Sequence, residues 1–217
     1  MAYTTKADIR LLTNLTTSDI SDADLDLIIN KTTSKINAKI NIKVIRELVE
    51  YIDSTRENTQ DSSNTTFYIK NWNGKYLGDM DNDGDVGIED VRVYQVDTDN
   101  LETELVVSSV TCDQGKFVLS TAPSSDSNLY ITYAYSSFDQ EEPDALLNTA
   151  ATYLAAAYSY LKKDAGVASK VKFGNTTIER KLSESFGSYY DMYKEVLRDL
   201  NSITTTGGKF ADSTVRI

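Results

Sequence analysis

Five aspartates occupy the first, third, fifth, seventh and twelfth positions of the stretch Asp79-Met80-Asp81-Asn82-Asp83-Gly84-Asp85-Val86-Gly87-Ile88-Glu89-Asp90, with glycine at the sixth. Short carboxylates at alternate positions can wrap a hard cation, and a glycine permits the sharp turn between them. That is the pattern of an EF-hand-type calcium loop. On this reading Asp79, Asp81, Asp83 and Asp90 offer side-chain oxygens, Asp85 offers its backbone carbonyl, and Gly87 leaves room for a water. The same residue types also make solvated acidic turns. Carboxylates at this density repel one another without a cation, so Ca²⁺ in a structural role is the expected cofactor.

The rest of the chain is poor in chemistry-bearing motifs. It has no histidine, which removes the commonest general base and transition-metal ligand. Cys112 is the single cysteine, so no internal disulfide framework exists; without a basic neighbour in sequence it reads as a structural thiol. No nucleotide-binding glycine loop or nucleophile elbow occurs. Paired acids such as Glu141-Glu142 and Asp139 have the composition of a solvent-facing run. The expectation is a protein that is not an enzyme. A net charge of −11 argues against a general DNA-binding surface. No apolar run long enough for a membrane span is present, and the N-terminal residues lack an apolar signal-peptide core. Only one calcium loop occurs and the chain has three methionines, so the loop is expected to stabilise rather than to switch.

The elements that must position the loop follow from period and caps. Thr4-Thr5-Lys6-Ala7-Asp8 opens a short helix through Leu12. Ser21 caps a second, with Asp22 and Asp24 at its positive end and Leu25, Ile28, Ile29, Thr32, Ile36 and Ile40 at helical spacing. Val44, Ile45, Leu48, Val49 and Ile52 continue that pattern, so a helix or helix pair is expected over 21–53, then a polar linker over 54–66. From Phe67 to Tyr135 the period becomes two. Strands are expected at 67–70, 91–97, 102–110, 115–120 and 129–135, an antiparallel meander with the loop between its first two strands. After Pro143 an Ala-rich helix is expected to about Leu161, then a hairpin turning at Gly174-Asn175, then a Tyr-rich helix over about 183–201. A flexible tail follows, with Phe210, Val215 and Ile217 as apolar points. The fold class is therefore α+β: a bundle of about four helices from 1–65 and 141–203, with a β-meander inserted at 66–140 and a tail at 204–217.

This order of parts resembles the head–tail connector, or adaptor, proteins of tailed viruses. The residues that carry the likeness are Ile20-Ser21-Asp22-Ala23-Asp24-Leu25 with Ile28 and Ile29, the Ala-rich, hairpin and Tyr-rich segments at 143–161, 170–180 and 183–201, and the Asp-rich loop and Val93-Tyr94-Gln95-Val96-Asp97 of the β insert. The insert is similar to that in adaptors of archaeal tailed viruses. The resemblance implies a structural virion protein of the neck, assembled in the host cytoplasm. It implies a dodecameric ring that docks on the portal, meets a tail-side neck protein, and lines a channel through which genomic DNA passes without specific binding. Membrane plays no part. Phe210, Val215, Ile217 and the Gly174-Asn175 turn are then candidate docking points. A second class stays open: an extracellular calcium-stabilised binding or adhesion module, since Asp rather than Glu at the twelfth position is dockerin-like.

Overall fold

The computed structural model describes residues 2–72, 75–165, 170–173, 176–179 and 184–206. Gly174, Asn175, Phe210, Val215 and Ile217 lie outside the described residues. The fold is mixed α+β, with four α-helices and antiparallel sheets among the described residues. The chain forms two compact units, one built on Asn37–Asp144 and the other on Ala2–Ile36 and Ala145–Asn201.

In the second of these, helix α1 (Lys6–Thr13) starts where Thr5 and Asp8 satisfy each other's backbone N–H groups in a capping box, and it ends on Asn14 in the left-handed conformation. Helix α2 (Asp22–Ile40) opens on Ser21, whose hydroxyl accepts from the Asp24 amide at 3.1 Å. Ile9, Leu15, Ile20, Leu25 and Ile29 form a core with Ala155 of helix α3 (Ala145–Ala165). Ala150, Ala151, Ala155, Ala156 and Ala157 are all fully buried, and their small size lets neighbouring backbone approach closely. The phenols of Tyr160 and Tyr189, the latter on helix α4 (Glu184–Thr206), donate to the carbonyls of Thr13 and Leu12 at 2.8 and 2.9 Å, satisfying acceptors at the end of α1.

The sheet unit departs from the expected order. Residues 41–53 are not helical: strand β1 (Ile42–Leu48) pairs antiparallel with β8 (Asn128–Ser136). The apolar spacing there fits a helix only because a bulge between Val44 and Glu47, with Arg46 at φ 55°, breaks the two-residue period. Its β-branched Ile and Val side chains suit a strand. Nor is the expected linker at 54–66 free of structure. The Asp53 carboxylate accepts from the Thr55 and Arg56 amides, and buried Asn58 bonds the carbonyls of Glu50 and Tyr68 and the Tyr68 amide.

The strands are antiparallel but not a meander. β4 (Arg92–Val96) and β5 (Glu102–Leu105) form one hairpin, and β6 (Val107–Thr111) and β7 (Lys116–Leu119) another. One sheet runs β1-β8-β4-β5, with β3 (Tyr76–Gly78) also on β8; a second runs β2-β7-β6, with β2 at Thr66–Tyr68. The single run expected over 102–110 is thus two strands in different sheets. Phe67, Phe117, Leu129, Ile131 and Tyr133 fill the core of this unit, with the Phe67 and Phe117 rings stacked at 5.8 Å. Two further strands, β9 (Lys170–Phe173) and β10 (Thr176–Glu179), pair as a hairpin.

Candidate metal centre

The acidic loop leaves β3 at Gly78 and ends in a 3-10 turn at Ile88–Asp90, just before β4. Its backbone folds onto its own carboxylates. Asp79 is buried: Oδ1 accepts from the Asn82 amide at 2.5 Å, and Oδ2 accepts from the Gly84 amide at 2.9 Å. Gly84 sits at φ 104°, where a side chain would be strained, so the sixth position needs glycine. Asn82 is left-handed as well, at φ 66°, which asparagine tolerates better than most residues. Asp81 Oδ1 accepts from the Asp83 amide and Asp83 Oδ1 from the Asp85 amide, at 3.1 and 2.9 Å.

Of the five aspartates singled out by spacing, three converge. Asp79, Asp81 and Asp83 each place a carboxylate oxygen within 4.8 Å of the others. The carboxylates of Asp85 and Asp90 lie outside that group, although the ligand expected of Asp85 is its backbone carbonyl and not its carboxylate. Asp90 is fully buried and closes the loop from within: Oδ1 accepts from the Met80 and Asp81 amides and Oδ2 from the Gly87 amide at 2.8 Å.

Burial pushes the Asp79 carboxyl above the ordinary range, the amides of Gly84 and Asn82 oppose this, and the charges of Asp83 and Asp81 add to it. Burial likewise pushes Asp90 up to about 6, against three backbone amides and with a further push from Asp79. Both buried carboxyls of the loop thus take up a proton more readily than exposed ones, the backbone amides offsetting only part of the cost of burial.

Three amide side chains hold Asp79 from outside the loop, and nothing local in the sequence points to them. Asn37 Nδ2 donates to Asp79 Oδ2 at 2.8 Å, and Asn41 Nδ2 donates to the Asp79 carbonyl at 2.6 Å. Gln140 Oε1 accepts from the Asp79 amide at 2.8 Å, while its Nε2 donates to Asn41 Oδ1. The i, i+4 spacing of Asn37 and Asn41 puts both amides on one side of the last turn of α2; the partner 38 residues beyond Asn41 is set by the fold. Lys43 Nζ donates to the Met80 carbonyl at 2.8 Å.

A second group, Cys112, Asp139 and Glu141, also brings ligand-type atoms within 4.8 Å of one another. Its atoms have other employment. The Cys112 thiol donates to the Leu77 carbonyl at 3.1 Å, and Asp139 Oδ1 accepts from the amides of Glu141 and Glu142. Burial, with the charges of Asp139, Asp113 and Glu142, raises the Glu141 carboxyl.

Among the described residues no helix is long and apolar enough to cross a membrane. Compared with known proteins, the chain matches no family model and no curated sequence.

Proposed function

We propose that this chain is a structural neck protein of a tailed virus, a head-to-tail adaptor that forms a ring on the portal and carries a calcium-pinned β unit. The observation that carries this reading is the element order. A short capped helix, a second helix capped at Ser21, a β unit, an Ala-rich helix, a hairpin and a Tyr-rich helix follow one another as they do in the adaptor resemblance. The role is mechanical rather than catalytic. Gly174, Asn175, Phe210, Val215 and Ile217 serve as its docking points to neighbouring copies and the portal.

Within this reading Asp79, Asp81 and Asp83 hold the cation, with Gly84 making the turn between them. The donor set fits Ca²⁺: carboxylate oxygens from short side chains, two of them exposed and free to adjust to its high coordination number. Asp90 braces the loop backbone, and Asn37, Asn41 and Gln140 fix its first residue. When bound, Ca²⁺ supplies charge neutralisation and no reaction.

The test is assembly. Purified protein added to portal rings of its own virus is expected to bind as a ring visible by electron microscopy, and protein ending at residue 203 is expected to lose that binding. A full-length chain that ignores portal rings overturns the proposal.

A further inference from the structure

Asp83 is the only aspartate of the chain followed directly by glycine. Its side chain is exposed and turned along the backbone. Oδ1 accepts from the Asp85 amide at 2.9 Å, which folds the carboxyl back over the intervening Gly84 peptide. Gly84 has no Cβ to shield its nitrogen, and its φ of 104° disfavours any other residue there.

The Gly84 N–H donates to Asp79 Oδ2 at 2.9 Å. Asp79 is buried, and Asn37 holds it by donating to the same oxygen at 2.8 Å. One backbone nitrogen thus has a carboxyl folded toward it and a proton acceptor within hydrogen-bond reach. An intramolecular acyl substitution needs those three parts: a nucleophile, an electrophilic carbon and a base. Groups fixed in one loop have little left to order before they react.

We propose that Asp83 is a self-modification site: in calcium-free protein Asp83 and Gly84 cyclise to a succinimide, which opens to isoaspartate. The Gly84 nitrogen bonds to Asp83 Cγ. Its proton, relayed by Asp79 Oδ2, joins the hydroxyl of the protonated Asp83 carboxyl, which leaves as water. A second water then adds to an imide carbonyl. Addition at the Asp83 main-chain carbonyl breaks its bond to Gly84, so the backbone runs through Cβ and Cγ and is one carbon longer. Calcium held by Asp79, Asp81 and Asp83 occupies both the base and the electrophile, and so blocks the step. Conversion is confined to the metal-free loop and displaces the Asp83 carboxylate, so a loop that stays without calcium loses the ability to rebind it. The protective half rests on the calcium reading above, while the conversion itself is measured without metal.

Peptide mapping by mass spectrometry, with electron-transfer fragmentation to tell isoaspartate from aspartate, tests it on the full chain after warm incubation. Chelated protein is expected to accumulate isoaspartate at position 83 faster than the same chain unfolded in urea. With calcium at a hundredfold above Kd about one chain in a hundred is metal-free, so the rate should fall about a hundredfold. Asp79→Asn keeps an acceptor for the Gly84 amide but no base, and should slow the chelated reaction by about tenfold or more. Asp83→Glu cannot close the five-membered ring and should give no product, a control that does not depend on how Asp79→Asn folds. No isoaspartate at 83, or a rate no faster than in the unfolded chain, overturns the proposal. A faster reaction in Asp79→Asn would show that Asp79 shields Gly84 and would overturn its role as base. Calcium that binds by calorimetry yet leaves the rate unchanged sinks the protection; isoaspartate at 83 with no calcium heat sinks the calcium reading and leaves the conversion standing.

Discussion

Arg46 of β1 and Glu102 of β5 meet at 2.6 Å although β8 and β4 lie between their strands. The guanidinium crosses the sheet face over two aromatic rings, 5.3 Å from the centroid of Tyr130 and 5.9 Å from that of Tyr94. It starts from a strained backbone, at φ 55° in the bulge, and the Arg46 amide donates to Thr132 Oγ1 at 3.1 Å. A side chain laid flat across neighbouring strands in this way fixes the bulge and covers the tyrosines.

Truncating Arg46 should reveal both features. Arg46→Ala loses two exposed cation–π contacts and a half-exposed ion pair, for a cost of about 1–2 kcal/mol. Arg46→Gly loses the same contacts but accepts the positive φ without strain. Glycine is therefore expected to be the more stable of the two, the reverse of the usual order. Urea denaturation of both proteins is the check, and an alanine variant more stable than the glycine variant would contradict the bulge geometry.

Calcium binding should separate the aspartates by role. Isothermal calorimetry on chelated protein is expected to show one site, with magnesium much weaker. Saturation to a hundredfold above Kd would add about 2.7 kcal/mol to stability. Asp83 is exposed, so Asp83→Ala should abolish the binding heat and leave the metal-free melt unchanged. Asp90→Asn should instead lower the metal-free melt, because an amide cannot accept from the backbone at both ends. Asn37→Ala removes one charge-assisted bond to Asp79 and is expected to weaken calcium by about tenfold, from a loss of roughly 1.5 kcal/mol. Absence of a heat with the parent protein would refute the site.

Those roles mark how far the sequence could be read. Spacing singles out Asp79, Asp81 and Asp83, whose carboxylates converge in the fold, and the glycine turn at Gly84, because residues this near in sequence share one loop. It does not show that the Asp90 carboxylate accepts from the amides of Met80, Asp81 and Gly87. The capped starts of α1 and α2 are legible for the same local reason. Strand β1 is not, because its bulge hides the alternation, and β3 is only three residues long. Asn37, Asn41 and Gln140 owe their role to contacts made only after folding, which no local pattern encodes.

Acidification should stabilise the metal-free protein before it harms it. Asp90 titrates near 6 in the folded chain against 3.8 ordinarily, and Asp79 is shifted the same way. The folded state thus holds these two protons more tightly than the unfolded one, so stability rises as pH falls from about 7 to about 5; below that the carboxyls held low by hydrogen bonds and cations, among them Asp19, Asp22 and Asp24, begin to cost stability. For Asp90 the gain is at most about 3 kcal/mol. Calcium needs the ionised carboxylates and should reverse the trend, adding most at pH 7 and little below 5. Thermal melts of metal-stripped and calcium-loaded protein at pH 5, 6 and 7 would show the crossing. A metal-free melt that falls steadily from pH 7 to 5, with the same slope in Asp90→Asn, would contradict the burial of this carboxyl.

The boundary of the β unit is testable by excision. β1 supplies β8 with one of its two neighbouring rows, and Val44 packs against the core of the unit while Val49 lies within it. Glu47 accepts from the Tyr133 hydroxyl at 3.1 Å, and Asn58 ties the following loop to Tyr68. A fragment starting at residue 66 lacks all of these and leaves the apolar face of β8 open along one side. A fragment of 37–144 keeps them, together with the Asn37 and Asn41 amides on Asp79. The longer fragment is expected to unfold in one cooperative transition and to bind calcium with near-parent affinity. The 66–144 fragment should bind the hydrophobic dye ANS and show no sharp melt. Equal cooperativity in the two would mean that β1 is dispensable to the sheet, and that the unit begins near residue 66 rather than at 37.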